Sequence, residues 1–161
     1  MKENGKENLP KDRKEKVITV NKKAYHDYEI SNKYEAGIVL LGSEVKSLRQ
    51  LKGTVQDAYA KISKGEIWLI NSNIPEYKFS TIESHKPLRD RKLLLHNKEI
   101  RKITVKLQEK GFTLIPLKMY FLGPHVKVEL GLAKGKRQYD KRAAIKKEEI
   151  KRQLKRVKQS Y

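Results

Sequence analysis

The sequence predicts a mainly β protein with minor α content: a small closed or partly closed antiparallel β-barrel of about six strands, with two or three short helices and a basic C-terminal tail. Short apolar runs rich in β-branched residues recur along the chain. Glycine-containing turn signals separate several of them, as expected for antiparallel neighbours. The runs do not alternate with long helical patterns, which argues against a doubly wound parallel sheet.

Composition limits the class of protein. The 161 residues suit one domain with tails, and a formal net charge of +19 favours a polyanionic partner, with a membrane surface as the weaker alternative. The absence of cysteine excludes a disulfide scaffold and fits a reducing compartment. No apolar run approaches a membrane span of ~18 residues, and the first residues lack a signal segment. We therefore expect a cytoplasmic nucleic-acid-binding protein.

The distribution of charge divides the chain into three parts. Residues 1–16 mix charges without an apolar period and are expected to form a disordered N-terminal arm. Residues 17–133 hold nearly all the strand-like patterning and are expected to form an OB-like RNA-binding barrel, by analogy with other barrels that bind nucleic acid. Residues 134–161 carry a net charge of +9, against +8 for residues 17–133, and form the basic C-terminal tail.

Two or three strands are predicted in the first third of the chain. Residues 17–20 are β-branched, residues 25–30 alternate loosely as an edge strand does, and residues 34–41 form an apolar run before a glycine turn. The last of these runs is predicted to be a buried strand, because its β-branched content and the following glycine outweigh its ambiguous period.

A short helix is predicted next, and it carries candidate site residues. Ser43 can cap this helix, and Glu44 suits the positive end of the helix dipole. Lys46 and Arg49 lie three residues apart and share one face. Together with Glu35 in the preceding strand they are the polar candidates of this segment. The alternative is a solvated helix face and a surface carboxylate.

The middle of the chain indicates a hairpin followed by a long loop. Residues 58–62 and 67–70 flank Lys64-Gly65, which is a hairpin turn signal. Residues 71–90 are rich in Asn, Ser, Pro and Lys, and long loops inside compact domains are often functional. The basic residues that close this loop are candidates for phosphate contact, with ordinary loop solvation as the alternative: Arg89, Arg91 and Lys92.

A second helix and two strands complete the predicted barrel. Asn97 caps a helix that ends near Gly111, and its core-facing stripe consists of Ile100, Ile103 and Leu107. Residues 113–122 and 126–132 are predicted strands separated by a glycine–proline turn. Pro116 indicates an edge position or a bulge in the first of them.

The basic tail has a helical pattern of its own. Asp140 can cap a helix, Glu148 can pair with Arg152, and one narrow apolar stripe is formed by Ala143, Ile150, Leu154 and Val157. The apolar area is too small to stabilise this helix alone. We expect the tail to be disordered when free and to fold against an anionic surface. A purely solubilising tail is the alternative.

The residue pattern does not indicate catalytic chemistry. The four histidines lie far apart and form no metal-ligand pair, and no nucleophile, phosphate-loop or dinucleotide motif is present. We therefore expect no enzymatic activity, no metal and no cofactor. Tyr28, Tyr77 and Tyr120 are candidates for stacking on unpaired bases, with core packing as the alternative.

Several sequence blocks follow one another in a distinctive order: Asn21-Lys22-Lys23-Ala24, His26-Asp27-Tyr28, Tyr34-Glu35-Ala36-Gly37-Ile38, Glu44-Val45-Lys46-Ser47-Leu48-Arg49, Arg91-Lys92-Leu93-Leu94-Leu95-His96, Pro116-Leu117 with Tyr120, and Gly135-Lys136-Arg137 with Tyr139-Asp140-Lys141-Arg142. In this order, over residues 17–142, the chain resembles the bacterial SsrA-binding proteins, also called small protein B.

The resemblance implies a function in trans-translation. The family binds the tRNA-like domain of transfer-messenger RNA (tmRNA, or SsrA RNA) and delivers it to stalled ribosomes for rescue and peptide tagging. Its tail enters the vacant messenger channel of the small subunit and becomes helical there. Implied partners are tmRNA, the ribosome and, through the charged RNA, elongation factor Tu and alanyl-tRNA synthetase, with the protein a monomer. The alternative is a ribosomal-type rRNA-binding protein without a tRNA-like partner.

The charge pattern and the resemblance together assign two sets of candidate residues. The RNA-binding set is Lys22, Tyr28, Glu35, Lys46, Arg49, Arg89, Arg91, Lys92, Leu94, His96, Lys118 and Tyr120. The set expected at the decoding centre and in the messenger channel is Gly135, Lys136, Arg137, Tyr139, Asp140, Lys141, Arg142, Ile150, Leu154 and Val157.

Overall fold

The computed structural model describes residues 14–80 and 83–158, with residues 138–140 described by their backbone alone. Most of the expected N-terminal arm lies outside these ranges. Within them the chain forms seven strands and four helices: β1 (Glu15–Val20), α1 (Lys22–Asp27), β2 (Tyr28–Ile38), α2 (Gly42–Arg49), β3 (Tyr59–Ser63), β4 (Glu66–Ile70), β5 (Arg91–Leu94), α3 (Asn97–Gln108), β6 (Phe112–Leu122), β7 (His125–Gly135) and α4 (Gln138–Lys158).

The strand pairings are all antiparallel and close into a ring. The order runs β6–β3–β4–β5–β2–β7, and β7 pairs again with β6, while β1 adds to β6. The prediction of a mainly β, antiparallel architecture is confirmed. The ring has a continuous interior, because successive side chains of each strand point alternately inward and outward.

Apolar side chains from the strands and from two helices fill this interior. Leu114 and Met119 of β6 and Val128 of β7 are buried there, and Leu48 of α2 and Ile103 of α3 pack against the same core. Burying a side chain of this size contributes about 1.5–3 kcal/mol, so each helix is held by its apolar face. The charged face of α2 is thereby left toward solvent.

The predicted hairpin and the predicted bulge are both present. Lys64 and Gly65 have φ values of 51° and 73°, the left-handed geometry of a two-residue hairpin turn between β3 and β4. The β6–β7 register shifts between Pro116 and Lys118. At this bulge the carbonyl of Pro116 accepts a hydrogen bond from the Asn21 side chain at 3.0 Å.

Asn21 also explains an element that the sequence prediction missed. Its side-chain oxygen accepts from the N–H of Ala24 at 3.0 Å and caps α1. Residues 25–30 are therefore not one edge strand, because the chain is helical to Asp27 and becomes extended only from Tyr28. The predicted strand over residues 34–41 is the second half of β2 and ends at Ile38.

Several element ends differ from the predictions. Helix α2 starts at Gly42. The side chain that hydrogen-bonds to the backbone at its N-terminus is Glu44 and not Ser43: the Glu44 carboxylate accepts from the Leu41 N–H at 2.8 Å. Strand β1 begins inside the expected arm, at Glu15, and β7 continues through Gly135, beyond the predicted end at residue 132. Helix α4 starts before Asp140, so this residue lies in the first turn rather than at the cap.

Helix α3 forms with the predicted core stripe, but its N-cap is His96 and not Asn97, and it ends at Gln108. One ion pair predicted in α4 is present. In α3 the stripe of Ile100, Ile103 and Leu107 packs on the core. In α4, Arg152 and Glu148 approach to 3.9 Å. None of the described helices is long and apolar enough to cross a membrane.

Candidate nucleic-acid interface

One outward face of the ring gathers residues from four strands. Gly37 on β2 pairs with Leu94 on β5 and with Lys127 on β7, and Lys127 pairs with Tyr120 on β6. The next row along the face holds Glu35, Glu129 and Lys118. Directly paired residues project to the same side of a sheet. The fold therefore places Glu35, Leu94, Lys118 and Tyr120, all predicted from sequence, on one surface.

Tyr120 lies at the centre of this surface, but its ring is not free to stack. The residue is 4% exposed, and its hydroxyl donates a 2.5 Å hydrogen bond to Oε2 of Glu35. Burial, followed by the hydrogen bond to Glu35, raises the pKa of the phenol well above its usual range. The Lys118 ammonium lies 4.7 Å from the ring centroid. Of the two roles considered for Tyr120, stacking on bases and core packing, the structure supports core packing.

Lysine and glutamate alternate around the Glu35–Tyr120 pair. Lys33 lies 3.7 Å from Glu129, and the charge of Glu129, with a hydrogen bond to Tyr25, raises the pKa of Lys33. Lys118 also pairs with Glu15 of β1. Lys33, Lys127 and Glu129 were missed from sequence, although the inward alternation of Val126, Val128 and Leu130 marks Lys127 and Glu129 as outward-facing.

The predicted residues of β5 lie at the margin of this face. Leu94 is 51% exposed, which is unusual for a leucine in a strand, and packs beside Gly37. His96 is exposed, and its backbone N–H donates to the Glu99 carboxylate at the start of α3 at 3.1 Å. Lys92 pairs with Glu66 at 2.6 Å, and both side chains are more than one third exposed. Such a pair is weak enough to exchange for phosphate.

Helix α2 presents the second cationic surface. Lys46 and Arg49 are both exposed, and the Lys46 ammonium lies 5.6 Å from the ring centroid of Tyr77 in the long loop. Arg49 borders a shallow groove with Lys14 and Lys16. The predicted cationic face of this helix is thus available to a polyanion.

Glu44 on the opposite side of α2 is fully buried. Its carboxylate accepts from Arg91 Nε at 2.9 Å and from Arg89 Nη2 at 2.7 Å, besides the N–H of Leu41. Burial alone would raise the pKa of this carboxyl, but the hydrogen bonds and the two guanidinium charges outweigh burial and lower it. Glu44 is therefore held as the anion.

Arg91 is equally buried, and this corrects its prediction as a phosphate contact. Besides Glu44, its guanidinium donates to the carbonyls of Ser72, Pro87 and Arg89 and to the Ser72 hydroxyl, at 2.8–3.0 Å. A guanidinium with these partners and no exposed area cannot reach RNA from the folded protein. Arg89 keeps 31% of its side chain exposed but is also committed to Glu44.

A second buried polar group fastens the long loop to α2. The His85 ring donates from Nε2 to the Ile74 carbonyl at 2.8 Å, since a carbonyl can only accept, and its Nδ1 contacts the Ser43 hydroxyl at 2.8 Å. Ser47 of α2 donates to the Pro75 carbonyl at 2.7 Å.

Within the described ranges, no three histidine or carboxylate side chains are placed to hold a metal ion.

The beginning of the tail docks on α1. The Lys136 N–H donates to the Asp27 carbonyl at 2.9 Å, and the Lys141 ammonium lies 3.8 Å from the Asp27 carboxylate. The hydrogen bond from His26 is the largest influence on this carboxyl, and it lowers the pKa together with the charge of Lys141. Of the two predicted α1-region residues, Lys22 is exposed, while Tyr28 is half-buried against a small apolar cluster.

Beyond this anchor the tail helix is exposed. Ile150, Leu154 and Val157 are between 51% and 59% exposed, so the apolar stripe predicted from sequence faces solvent. Gly135 is the last residue of β7, and Lys136 and Arg137 form the link between this strand and α4. The side chains of Tyr139 and Asp140 lie outside the described part of the chain.

A closed ring of antiparallel strands, a cationic surface and an appended basic helix together define a protein of the polyanion-binding class. The family profile described as "SmpB protein" matches residues 18–160. The SsrA-binding protein of Syntrophobacter fumaroxidans is 54% identical over 144 residues, which is 89% of either chain. That of Clavibacter sepedonicus is 48% identical over 153 residues, covering 95% of this chain and 97% of the relative. The chain belongs to the SmpB family, as the sequence blocks indicated.

A solved structure gives the same result. The structure described as "tmRNA-SmpB: a journey to the center of the bacterial ribosome" contains a chain that is 45% identical to this one, with a TM-score of 0.63. The match covers 79% of this chain and 93% of that chain. The fold and the family therefore agree.

Proposed function

We propose that this protein binds the tRNA-like domain of tmRNA and delivers the RNA to stalled ribosomes for trans-translation. The observation that carries this proposal is the family match over residues 18–160, together with the likeness to a chain from a tmRNA-SmpB structure. No observation favours an rRNA-binding protein without a tRNA-like partner. The net charge of +19 supplies the attraction to RNA that either function needs, so charge alone does not decide between them.

The ring and α2 form the tmRNA-binding part. Cations with exposed or half-buried side chains neutralise phosphates, namely Lys22, Lys46, Arg49, Lys92, Lys118 and Lys127. Glu35 accepts a hydrogen bond from the RNA, and Leu94 and His96 offer an apolar and a planar contact beside it. Arg91 acts by holding α2 and the long loop in place. Arg89, bound to the same carboxylate, shares this role and contributes long-range charge.

The tail is proposed to act on the ribosome. Gly135 to Arg142 lie at the decoding centre, and α4 enters the vacant messenger channel with Ile150, Leu154 and Val157 against one wall. Described contacts with the rest of the protein are concentrated near the first turns of α4, so most of its helicity depends on local propensity and on ion pairs such as Glu148–Arg152. An exposed helix of this kind is marginal in water. We propose that it is disordered in the free protein and stabilised in the channel.

The remaining assignments follow from this function. The protein acts as a monomeric, non-enzymatic adaptor in the cytoplasm, where translation takes place, and needs no cofactor. Elongation factor Tu and alanyl-tRNA synthetase are indirect partners, because both recognise the tRNA-like RNA that the protein holds. The second cationic surface, on α2, is available to bind either the RNA or the ribosome.

Two measurements test the proposed function. The full chain is titrated into the fluorescently labelled tRNA-like domain of tmRNA, with an rRNA fragment of equal length as the control. RNA co-purified with the protein from a bacterial lysate is sequenced in parallel. We expect tighter binding to the tRNA-like domain and enrichment of tmRNA. Equal affinity for the two RNAs, with rRNA alone recovered, contradicts the proposal and supports a ribosomal-type protein.

A further inference from the structure

The Tyr120 side chain is buried, and its hydroxyl is the only polar group that it carries. It reaches from β6 across β7 to Glu35 on β2, and the O···O distance is 2.5 Å. A hydrogen bond from a neutral hydroxyl to a carboxylate is short and strong because the acceptor is charged. Because Tyr120 is 4% exposed, its ring cannot swing outward, and the hydroxyl is a fixed point beneath the exposed carboxylate.

This contact leaves the two oxygens of Glu35 in different states. Oε2 is occupied by the hydroxyl, while Oε1 has no hydrogen-bond partner among the described residues. A free glutamate side chain on a strand samples several rotamers, and ordering it costs rotamer entropy. The bond to a buried hydroxyl removes part of that freedom before any ligand arrives, which is the usual basis of preorganised binding.

The charges around Glu35 indicate what kind of RNA atom it meets. Glu129 is its direct cross-strand partner, so two carboxylates stand side by side on a protein that is otherwise strongly basic. A phosphate is repelled at this spot, whereas Lys33, Lys118 and Lys127 attract phosphates around it. The ligand atom at Oε1 must therefore be a hydrogen-bond donor, such as the N–H edge of an unpaired base.

We propose that Tyr120 is a positioning residue for RNA recognition: its hydroxyl holds Oε2 of Glu35, so that Oε1 is presented to an N–H donor on an unpaired base. The proposal rests on the proposed function, since it concerns the same RNA. It gives Tyr120 a role through Glu35 and not through contact with the RNA. The Lys118 ammonium over the ring adds to the fixation of Tyr120.

The test is a double-mutant cycle in the full chain, with the tRNA-like domain of tmRNA as the probe. Tyr120→Phe keeps the ring and its contact with Lys118 but removes the hydroxyl. We expect it to weaken RNA binding about tenfold, and Glu35→Gln to weaken it by at least as much. The double variant should bind no more weakly than Glu35→Gln alone, because Tyr120 acts only through Glu35. Tyr59→Phe, which removes an exposed hydroxyl on β3, is the control and should bind normally.

A second readout separates positioning from a general loss of structure. The slope of log affinity against log salt should stay the same in Tyr120→Phe, since no phosphate contact is lost. Normal affinity in Tyr120→Phe, or additive losses in the double variant, would overturn the positioning role while leaving the proposed function intact. Failure of the unaltered chain to bind the probe overturns the proposed function, and the positioning role with it.

Discussion

At the scale of single residues, a buried arginine and an exposed one are expected to contribute very differently to the free energy of unfolding, although each adds one positive charge to the chain. Arg91 is fully buried and shares Glu44 with Arg89, whereas Arg49 projects from α2 into solvent. Removing one partner of a buried ion pair leaves the other charge without its full compensation, and this costs far more than losing a surface charge. The two arginines can therefore be distinguished by stability alone.

We predict that Arg91→Met lowers the free energy of unfolding by about 3–5 kcal/mol, because Glu44 and the carbonyls of Ser72 and Pro87 lose their donor. Arg49→Met, the matched control, should change it by less than about 0.5 kcal/mol. Urea unfolding of the free protein, followed by tryptophan fluorescence, measures both. Equal stability of the two variants contradicts the structural role assigned to Arg91.

Tyr120 leads to a prediction at alkaline pH. Its pKa is raised in the folded protein, mainly by burial and then by Glu35, and nearby Glu15 and Glu129 act in the same direction. In the unfolded chain a tyrosine ionises near pH ~10. The stability contributed by the protonated phenol is therefore complete below that pH and is lost as pH rises toward the higher pKa of the folded state.

We expect the unaltered protein to lose up to about 1.4 kcal/mol of stability per pH unit through Tyr120 above pH ~10, and Tyr120→Phe to lack this contribution. The urea midpoints of both proteins are measured between pH ~9 and pH ~11, and the midpoint of Tyr120→Phe is compared with that of the unaltered protein at each pH. Both proteins contain the same lysines, so the effect of lysine titration cancels to first order in this comparison. Parallel curves for the two proteins would show that the Tyr120 phenol is not perturbed.

At the scale of elements, the C-terminal helix and the strand ring differ in how they are held. Strand β7 runs to Gly135 and pairs there with Tyr28, and the Lys136 N–H is bound by Asp27. Past Lys141 the described helix exposes its apolar stripe. A truncation that ends after Lys136 therefore removes α4 without disturbing the sheet, whereas one that ends after Ala133 also removes the last β2–β7 pairs.

We predict that the chain ending after Lys136 binds the tRNA-like domain with nearly unchanged affinity but does not support tagging on ribosomes stalled at the end of a truncated message. Ordering the tail costs about 1–2 kcal/mol per residue, which only a surface with many simultaneous contacts can offset. RNA titration and tagging yield in a reconstituted translation reaction are measured on the same preparation. Proportional loss of both would mean that the tail is part of the tmRNA-binding surface.

A smaller change in the same element tests its beginning. Replacing Asp140, Lys141 and Arg142 together by alanine removes two cations and the contact between Lys141 and Asp27. We expect tagging to fall and tmRNA affinity to stay close to that of the unaltered chain, because these residues lie outside the ring. Asp27→Asn, which weakens the same contact from α1 and keeps both cations, is the matched control and should retain more tagging activity.

At the scale of the whole molecule, the positive charge is divided between the strand ring with α2 and the C-terminal helix α4. The exposed cations of the ring and α2 are held at defined positions, so they can match a set of phosphates. Counterion release makes log affinity fall with log salt by about 0.7–0.9 per phosphate contact. We predict a steep slope for the tRNA-like domain, and a slope shallower by about one contact for Arg49→Ala and for Lys92→Ala.

Fluorescence titrations at several salt concentrations measure this slope. Lys64→Ala in the β3–β4 turn serves as a control for the loss of one positive charge, since it lies outside the outward face described above. A slope that does not depend on salt, or one that changes equally in all three variants, would contradict fixed phosphate contacts at Arg49 and Lys92.

Sequence reasoning predicted the candidate site best where local pattern determines orientation. Lys46 and Arg49 were expected on the solvent face of α2 because Val45 and Leu48 mark the other face, and Leu48 is indeed buried. The family resemblance brought in Leu94 and His96, and the register of β2 with β5 now places Leu94 beside Gly37. Lys127 was missed although the alternation around it is regular.

The sequence by itself determined the antiparallel β class, the hairpin at Lys64-Gly65, the core stripe of α3 and the polyanion-binding character, because these depend on periodicity, turn chemistry and net charge. Only the tertiary structure decided that Glu44 and Arg91 are buried partners and that Tyr120 donates to Glu35. These pairs are separated by 47 and 85 positions in the chain. Which polar groups meet at such distances depends on strand order and register, and these are set by the packing of the whole core and not by any local pattern.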